Sequence, residues 1–524
     1  MRRHTTVRSV APMLSRVTTF SIDGLRSRRV VVEVDMRPGL PAFTIVGLGD
    51  QAVRESRERV RAAIQNAGFA FPGRRFTVNL APASMRKTGP GFDLAIACGV
   101  LAASGQVPAD KLAGHAVFGE LSLGGQVRPV RGALAVAEGT RDAGLSALVL
   151  AHEGVAEAAL IEELGVHGVG DLRELATLLR GEAVPRRAVP EGYTTDAGEG
   201  VPQGGVDLSD VRGQHAAIEA LVIAAAGGHN LLLTGPPGTG KTMLAKRLPS
   251  ILPPMSRDEA IEITRIHSVA GEHEGGGLLV QRPFRAPHHS ISPSGLVGGG
   301  STPKPGEATL AHNGVLFLDE LSEFPRGSLE ALRQPLEDGR IAIVRGQSTE
   351  VYPTRCMLVA STNPCPCGFS GTPRCRCSEA DVARYARKLS GPLLDRMDLV
   401  VTMKRPPGED LTGSGGLSSA SQRERVIEAR ARQEHRLRGT GARCNAQMSA
   451  RMLRTHGGVE LAAEVLLRAN YDRGNLSARG HQRTLRVART VADLAAADRV
   501  SPRHVHVALN MRNDEHSSAQ AHAA

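Results

Sequence analysis

Several short runs of this 524-residue chain carry side chains whose type and spacing could do chemistry. Gly235-Pro236-Pro237-Gly238-Thr239-Gly240-Lys241-Thr242 fits G-x-x-x-x-G-K-[ST] at every fixed position. Amides of such a loop, backed by a helix N-terminus, cradle phosphate oxygens. Lys241 can then meet the outer phosphates of ATP and the Thr242 hydroxyl can hold Mg²⁺. Further on, Gly314 to Leu318 is an apolar run ending in Asp319 and Glu320. An Asp there completes a Mg²⁺ shell, and the next acid can take a proton from attacking water. Asn363 closes a third apolar run, where it either touches the γ-phosphate or water, or merely ends a strand. Cys365, Cys367, Cys375 and Cys377 form C-x-C-x₇-C-x-C. Four thiolates so close can close a zinc site; free thiols and redox or iron–sulfur chemistry stay open beside it.

The elements that must position these groups are legible around them. Asn230 to Thr234 reads as a buried strand entering the loop, and Met243 to Leu248 as a helix leaving it. Arg355 to Thr362 reads as another buried strand. The expected class is α/β, with a parallel-sheet phosphate-loop core at 207–405. Residues 18–180 alternate strands and helices: Val30 to Val34 as a buried strand, Gln51 to Ala67 as a helix and Asp93 to Ala103 as an apolar helix. Residues 181–206 and 406–421 are rich in Gly, Pro, Ser or charge and read as linkers. A helical domain is expected at 422–512. Residues 1–17 read as an extension and 513–524 as a frayed tail.

Composition is that of a globular protein, 41% hydrophobic and 22% charged. Aromatics are 3% with no Trp, so base stacking on aromatic platforms is not the expected binding mode. The net charge of +11 favours a polyanionic partner. Residues 420–524 hold eighteen Arg, no Lys and ten acids. That excess suits phosphate forks, or a solvated helical face. No run has the length of a membrane span, and no apolar stretch near the start resembles a signal peptide. Seven cysteines without such a signal point to reduced thiols in the cytoplasm.

Longer motifs give the chain a family likeness. Ile45 to Leu48 with Ala52 to Arg61, Arg282 to His289, Leu316 to Leu321, Asn363 to Gly368, and Ser390 to Arg396 together resemble the ComM/YifB family. These are magnesium-chelatase-like AAA+ ATPases regarded as competence-associated branch-migration helicases. The likeness covers nearly all of 13–512; Gly49 departs from it, where relatives carry Pro. It implies an AAA+ core, a C-terminal helical lid and a ring, expected to be a homohexamer. It implies that Asp210 to Gln214 lies near the adenine and that Arg396 is an arginine finger reaching a neighbouring subunit's nucleotide. Arg479 matches the sensor Arg of the lid. Arg282, Arg285, His288 and His289 fall where related motors carry a pore-facing insertion. They are expected to touch DNA phosphates there, apart from the nucleotide pocket. Arg340 and Arg345 flank an expected hairpin that also projects into the pore.

Residues 18–180 resemble a Lon-type protease domain through Lys87 to Ala95 and Gly125 to Gly132. The nucleophilic Ser of that family would stand at Gly91, and no Lys follows the second motif, so covalent catalysis has no means. The expected function is thus an ATP-driven motor on single-stranded, forked or branched DNA, working with recombination proteins and without sequence preference. The rivals are a protein-remodelling or chelatase-type ATPase, an ATP-dependent protease and a nucleotide-gated scaffold.

Overall fold

A computed structural model describes residues 13–182, 206–273, 277–300, 304–345, 348–388, 391–408, 410 and 416–512. Residues 1–12 of the expected extension, most of both linkers, and the tail from 513 lie outside the described residues, whereas residues 13–17, read as part of that extension, begin the strand Met13–Asp23 because they pair with Arg26–Arg37. The chain divides into two units: residues 1–194 with 260–279, and residues 195–259 with 280–524.

The first unit is built on a seven-stranded mixed sheet. Its order is Ala42–Val46, Arg75–Ala81, Arg26–Arg37, Met13–Asp23, His115–Val117, Ala147–Ala151, Gly165–Val169. Val30, Val32 and Val34 point into the core while Val31 and Glu33 do not, so this strand is buried on one face. The two helices read from sequence form at Gln51–Asn66 and Asp93–Ala103. Every residue of Asp93–Ala103 is buried, as its unbroken apolar sequence requires. Buried Asp93 accepts hydrogen bonds from Ser56 and from Arg59 Nε at 2.8 Å, which offsets the cost of its charge.

A Cβ on Gly91 would lie 2.5 Å from Phe118 Cε2. One on Gly132 would lie 2.5 Å from Ile22 Cδ1, at a φ of +83°. At either position a side chain would need its neighbour to move.

The second unit holds a five-stranded parallel sheet, ordered Phe284–Arg285, Val315–Leu318, Met357–Thr362, Leu231–Thr234, Leu399–Thr402. Val315–Leu318 and Met357–Thr362 are buried throughout, the signature of a parallel sheet covered on both faces. A hairpin, Arg340–Arg345 with Ser348–Pro353, precedes Met357–Thr362. The C-terminal part is helical: Ser419–Leu437, Ala450–His456, Leu461–Asp472, Ala478–Leu494 and Pro502–Asn510. Among the described residues no helix is long and apolar enough to cross a membrane.

Many C-terminal arginines are structural. Arg436 Nη2 meets Asp493 Oδ2 at 2.7 Å, and fully buried Arg489 meets Asp493 Oδ1 at 3.0 Å and the Asp498 carbonyl at 2.8 Å. For these two, the sequence expectation of free phosphate forks is replaced by buried ion pairs. The reason is local: Asp493 lies one helical turn beyond Arg489.

Candidate nucleotide site

Ligands of parallel sheets sit beyond the carboxyl ends of the strands. The chemically capable residues gather there. Leu231–Thr234 leads into the loop, and helix Lys241–Ala245 starts behind it. Gly235, Gly238 and Gly240 hold φ of +150°, +76° and +91°, so the loop needs glycine. A Cβ on Gly235 would lie 2.3 Å from the Met403 carbonyl oxygen. At Gly238 and Gly240 a Cβ would meet nothing within 4 Å, leaving open space above the loop amides.

Lys241 Nζ donates to the Gly235 and Pro236 carbonyls at 2.6 and 3.0 Å and to Asn363 Oδ1 at 3.0 Å. Burial pushes the Lys241 pKa down, opposed by Asp319 and Glu320. Thr242 Oγ1 donates to Asp319 Oδ2 at 2.7 Å. A hydroxyl and a carboxylate side by side are hard oxygen donors of the kind Mg²⁺ takes. Asp319 Oδ1 accepts from the Ser361 hydroxyl and from the Glu320 amide at 3.1 Å. Glu320 is in the left-handed region at φ +54°, a strained position for a residue with a Cβ. Its amide also donates to Ser361 Oγ at 3.3 Å, and its side chain stays half exposed. Gln214 Nε2 donates to the Thr239 carbonyl at 3.2 Å and the Lys404 carbonyl at 2.8 Å. It thereby ties the Asp210 to Gln214 segment to the loop. Ser361 was missed in the sequence; it lies two residues before Asn363, on the same face of its strand, and that spacing could have found it.

The Arg282 to Gly300 stretch differs from the expected insertion. Phe284–Arg285 is the edge strand of the central sheet, paired with Val315–Leu316. Arg282 Nη2 bonds Glu259 Oε2 at 2.9 Å, and Arg285 Nε bonds Glu307 Oε2 at 2.6 Å. His289 Nδ1 lies 3.9 Å from Glu320 Oε2, with the His288 ring 4.0 Å away between centroids and tilted by 34°. The expectation that His289 stands apart from the nucleotide pocket is therefore corrected. A parallel edge strand ends on the same side as its neighbours and carries the next residues to the acidic turn. Arg340 is exposed on its hairpin, and the Arg345 side chain lies outside the described residues.

Arg396 and Arg479 lie elsewhere. Both reach Glu337: Arg396 Nη2 contacts Glu337 Oε2, and Arg479 Nη2 lies 3.4 Å from Glu337 Oε1. Asn230, just before the loop-bearing strand, donates through Nδ2 to the Arg396 carbonyl at 3.0 Å. Arg396 is thus anchored at the amino edge of the sheet. The four-residue strand Leu231–Thr234 separates it from the phosphate loop, about 13 Å at ~3.3 Å per residue. Glu337 had no signal in the sequence.

Cys365, Cys367, Cys375 and Cys377 gather with one ligand atom each within 4.8 Å of the others.

A parallel sheet with the phosphate loop on a central strand, acids on the strand two places away and a helical C-terminal part defines an AAA+ fold of the magnesium-chelatase type. Residues 207–411 match the family model described as Magnesium chelatase, subunit ChlI. Residues 32–154 match Subunit ChlI of Mg-chelatase, and 416–512 its C-terminal part. An uncharacterized protein of Mycobacterium tuberculosis is 44% identical over 501 residues, 95% of this chain and 98% of the relative. The uncharacterized protein YifB of Escherichia coli is 42% identical over 501 residues, covering 95% and 97%. Competence protein ComM of Haemophilus influenzae is 42% identical over 499 residues, covering 93% and 95%. The chain belongs to the ComM/YifB family of magnesium-chelatase-like AAA+ proteins.

Proposed function

We propose that this protein is an ATP-driven homohexameric motor that moves branched DNA, a branch-migration helicase in recombination or natural transformation. The observation that carries the ATPase half is the joined pocket of Lys241, Thr242, Asp319, Glu320 and Asn363. In it the loop amides and Lys241 bind the phosphates of ATP. Thr242 and Asp319 would hold Mg²⁺, which would supply neutralising charge at the phosphates. Asn363 and Lys241 fix one another, and Glu320 accepts the proton of the attacking water. Arg396 and Arg479 face the opposite edge of the sheet, so the nucleotide they serve is a neighbour's, and hydrolysis waits on assembly.

The DNA half draws support from the relative called a competence protein and from the net charge of +11. In this reading the hairpin bearing Arg340 and Arg345 carries the main phosphate contacts, and exposed His288 adds to them. Arg282 and Arg285 serve the sheet edge through Glu259 and Glu307. The first unit acts as a scaffold without protease activity, given the closed space at Gly91 and Gly132. Zinc at the four cysteines, recombination proteins as partners and a cytoplasmic location complete the reading.

The test is turnover of the assembled protein with single-stranded, duplex and four-way-junction DNA. DNA should stimulate hydrolysis, binding should weaken steeply with salt, and junctions should be converted only with hydrolysable ATP. DNA that neither binds nor changes turnover at low salt would transfer the case to a protein-remodelling or chelatase-type ATPase.

A further inference from the structure

We propose that Cys365, Cys367, Cys375 and Cys377 hold a single zinc ion whose loop braces the nucleotide pocket. The nucleotide half of this inference rests on the ATPase reading above. Three sulfur pairs lie at 3.4 Å (Cys365–Cys367), 3.9 Å (Cys365–Cys375) and 3.7 Å (Cys367–Cys375). A tetrahedron of Zn–S bonds near 2.3 Å has edges of about 3.8 Å. A disulfide would need about 2.05 Å, and none of these cysteines is so bonded. An iron–sulfide cluster would hold its thiolates farther apart than one ion does. The Ser370 amide donates to Cys365 Sγ at 3.2 Å. Such an amide donor offsets thiolate charge and orients the ligand.

The loop has little else to hold it. Gly368 and Gly371 turn it at φ +81° and +79°, and its one aromatic ring, Phe369, is only partly buried beneath Arg374. A segment without a core of its own folds on its metal.

Three ties join it to the pocket. Pro364 alone separates Cys365 from Asn363, whose Oδ1 receives Lys241. A Cβ on Gly368 would lie 2.5 Å from Pro237 Cδ, so the turn between the cysteines rests against the phosphate loop. After the last cysteine, helix Glu379–Lys388 brings Tyr385 to the Ser322 hydroxyl, which also lies 3.2 Å from Thr362 Oγ1. Ser322 follows the Asp319–Glu320 turn. The metal loop is therefore tied to all three strand ends that make the site, to the Asp319–Glu320 turn through the helix that follows it.

The experiment uses the full chain purified without chelator. Elemental analysis should find about one zinc per chain, and Cys365→Ser with Cys375→Ser should remove it. Zinc stripped with a mercurial and chelator should lower affinity for a fluorescent ATP analogue by about tenfold or more, since small displacements of positioning groups are costly. Zinc, and not Mg²⁺, should restore it after thiols are regenerated. Gly368→Ala keeps all four thiols; it should retain its zinc yet bind the analogue several-fold more weakly. Thermal melting separates this from general unfolding.

Absence of metal, or iron with sulfide in its place, overturns the zinc assignment. Zinc present with affinity unchanged on its removal, and unchanged in Gly368→Ala, overturns the brace. If the zinc-loaded wild type binds no nucleotide at all, the ATPase reading and the brace fall, while metal content still decides the site.

Discussion

At the carboxyl edge of the five-stranded sheet, phosphate is to be met by glycine-loop amides and one lysine. At the amino edge of the same sheet, a cleft of about 650 Å³ is lined by Arg282, Arg396, Arg430, Arg443, Arg479 and Arg483 among others. The first edge has its charges pre-set by contiguous sequence: Lys241 and Thr242 are neighbours, and Asp319 and Glu320 are neighbours. At the second edge the arginines are already engaged, Arg396 and Arg479 with Glu337, Arg282 and Arg443 with Glu259. A site that binds its own ligand keeps open space above its donors. The largely buried arginines of the amino edge, Arg282 and Arg396, meet internal counter-ions, because isolated buried charge is too costly to leave unpaired. The difference teaches that one sheet can leave its donors open at one edge and pair its charges internally at the other.

The sharpest break in that comparison is Lys241→Ala, expected to lower nucleotide affinity about a hundredfold or more by removing a charge-assisted contact. Glu320→Gln should keep that affinity and slow hydrolysis about 10²- to 10⁴-fold in single-turnover assays. Normal turnover in this variant would remove Glu320 as the base.

The amino edge should respond differently. Arg396→Ala should fold and bind ATP but lose about 10³-fold in turnover, the scale of an arginine finger. Mixing it with Lys241→Ala protein should restore part of the activity through interfaces with both parts intact. Zero activity at every ratio would count against action across subunits. Arg479→Ala should follow the same pattern; a loss of ATP binding in dilute monomer would instead place it in its own chain's pocket.

A third test addresses what holds the amino edge in shape. Asp398 is buried beside His229 and Arg483 and accepts from the Asn230 amide at 3.0 Å. Burial pushes its pKa up, but His229, Arg483 and the amide outweigh this and leave it below the usual value. A depressed carboxylate contributes stability above its unfolded pKa of about 3.9 and loses it as pH falls through the folded value. Asp398→Asn should therefore cost about 3 kcal/mol at neutral pH in urea titrations. The gap to wild type should close below about pH 4; a gap constant down to pH 2 would show that charge is not the cause.

The smallest effect is expected at the hairpin. Arg340→Ala should leave basal turnover unchanged and reduce the salt slope of DNA binding by about one. An unchanged slope would take Arg340 out of the contact surface.

The sequence by itself determined the carboxyl edge. The phosphate loop, the Asp319–Glu320 turn and Asn363 each sit at the end of an apolar run, so local pattern placed them on strand ends of a buried sheet. The helices Gln51–Asn66 and Asp93–Ala103 were legible for the same reason, since periodicity and apolar runs report burial directly. Only the tertiary structure decided the rest. Arg396 and Arg479 meet on one carboxylate although they stand 59 and 142 residues from it. Arg282 and Arg285, read as free cations, are spent on Glu259 and Glu307, and His289 arrives beside Glu320 through an edge strand only two residues long. Gly368 looks like any turn glycine until Pro237 is found against it. The physical reason is that backbone-built sites are encoded in consecutive residues, whereas the partner of a charged side chain is chosen by packing between segments that the linear order does not bring together.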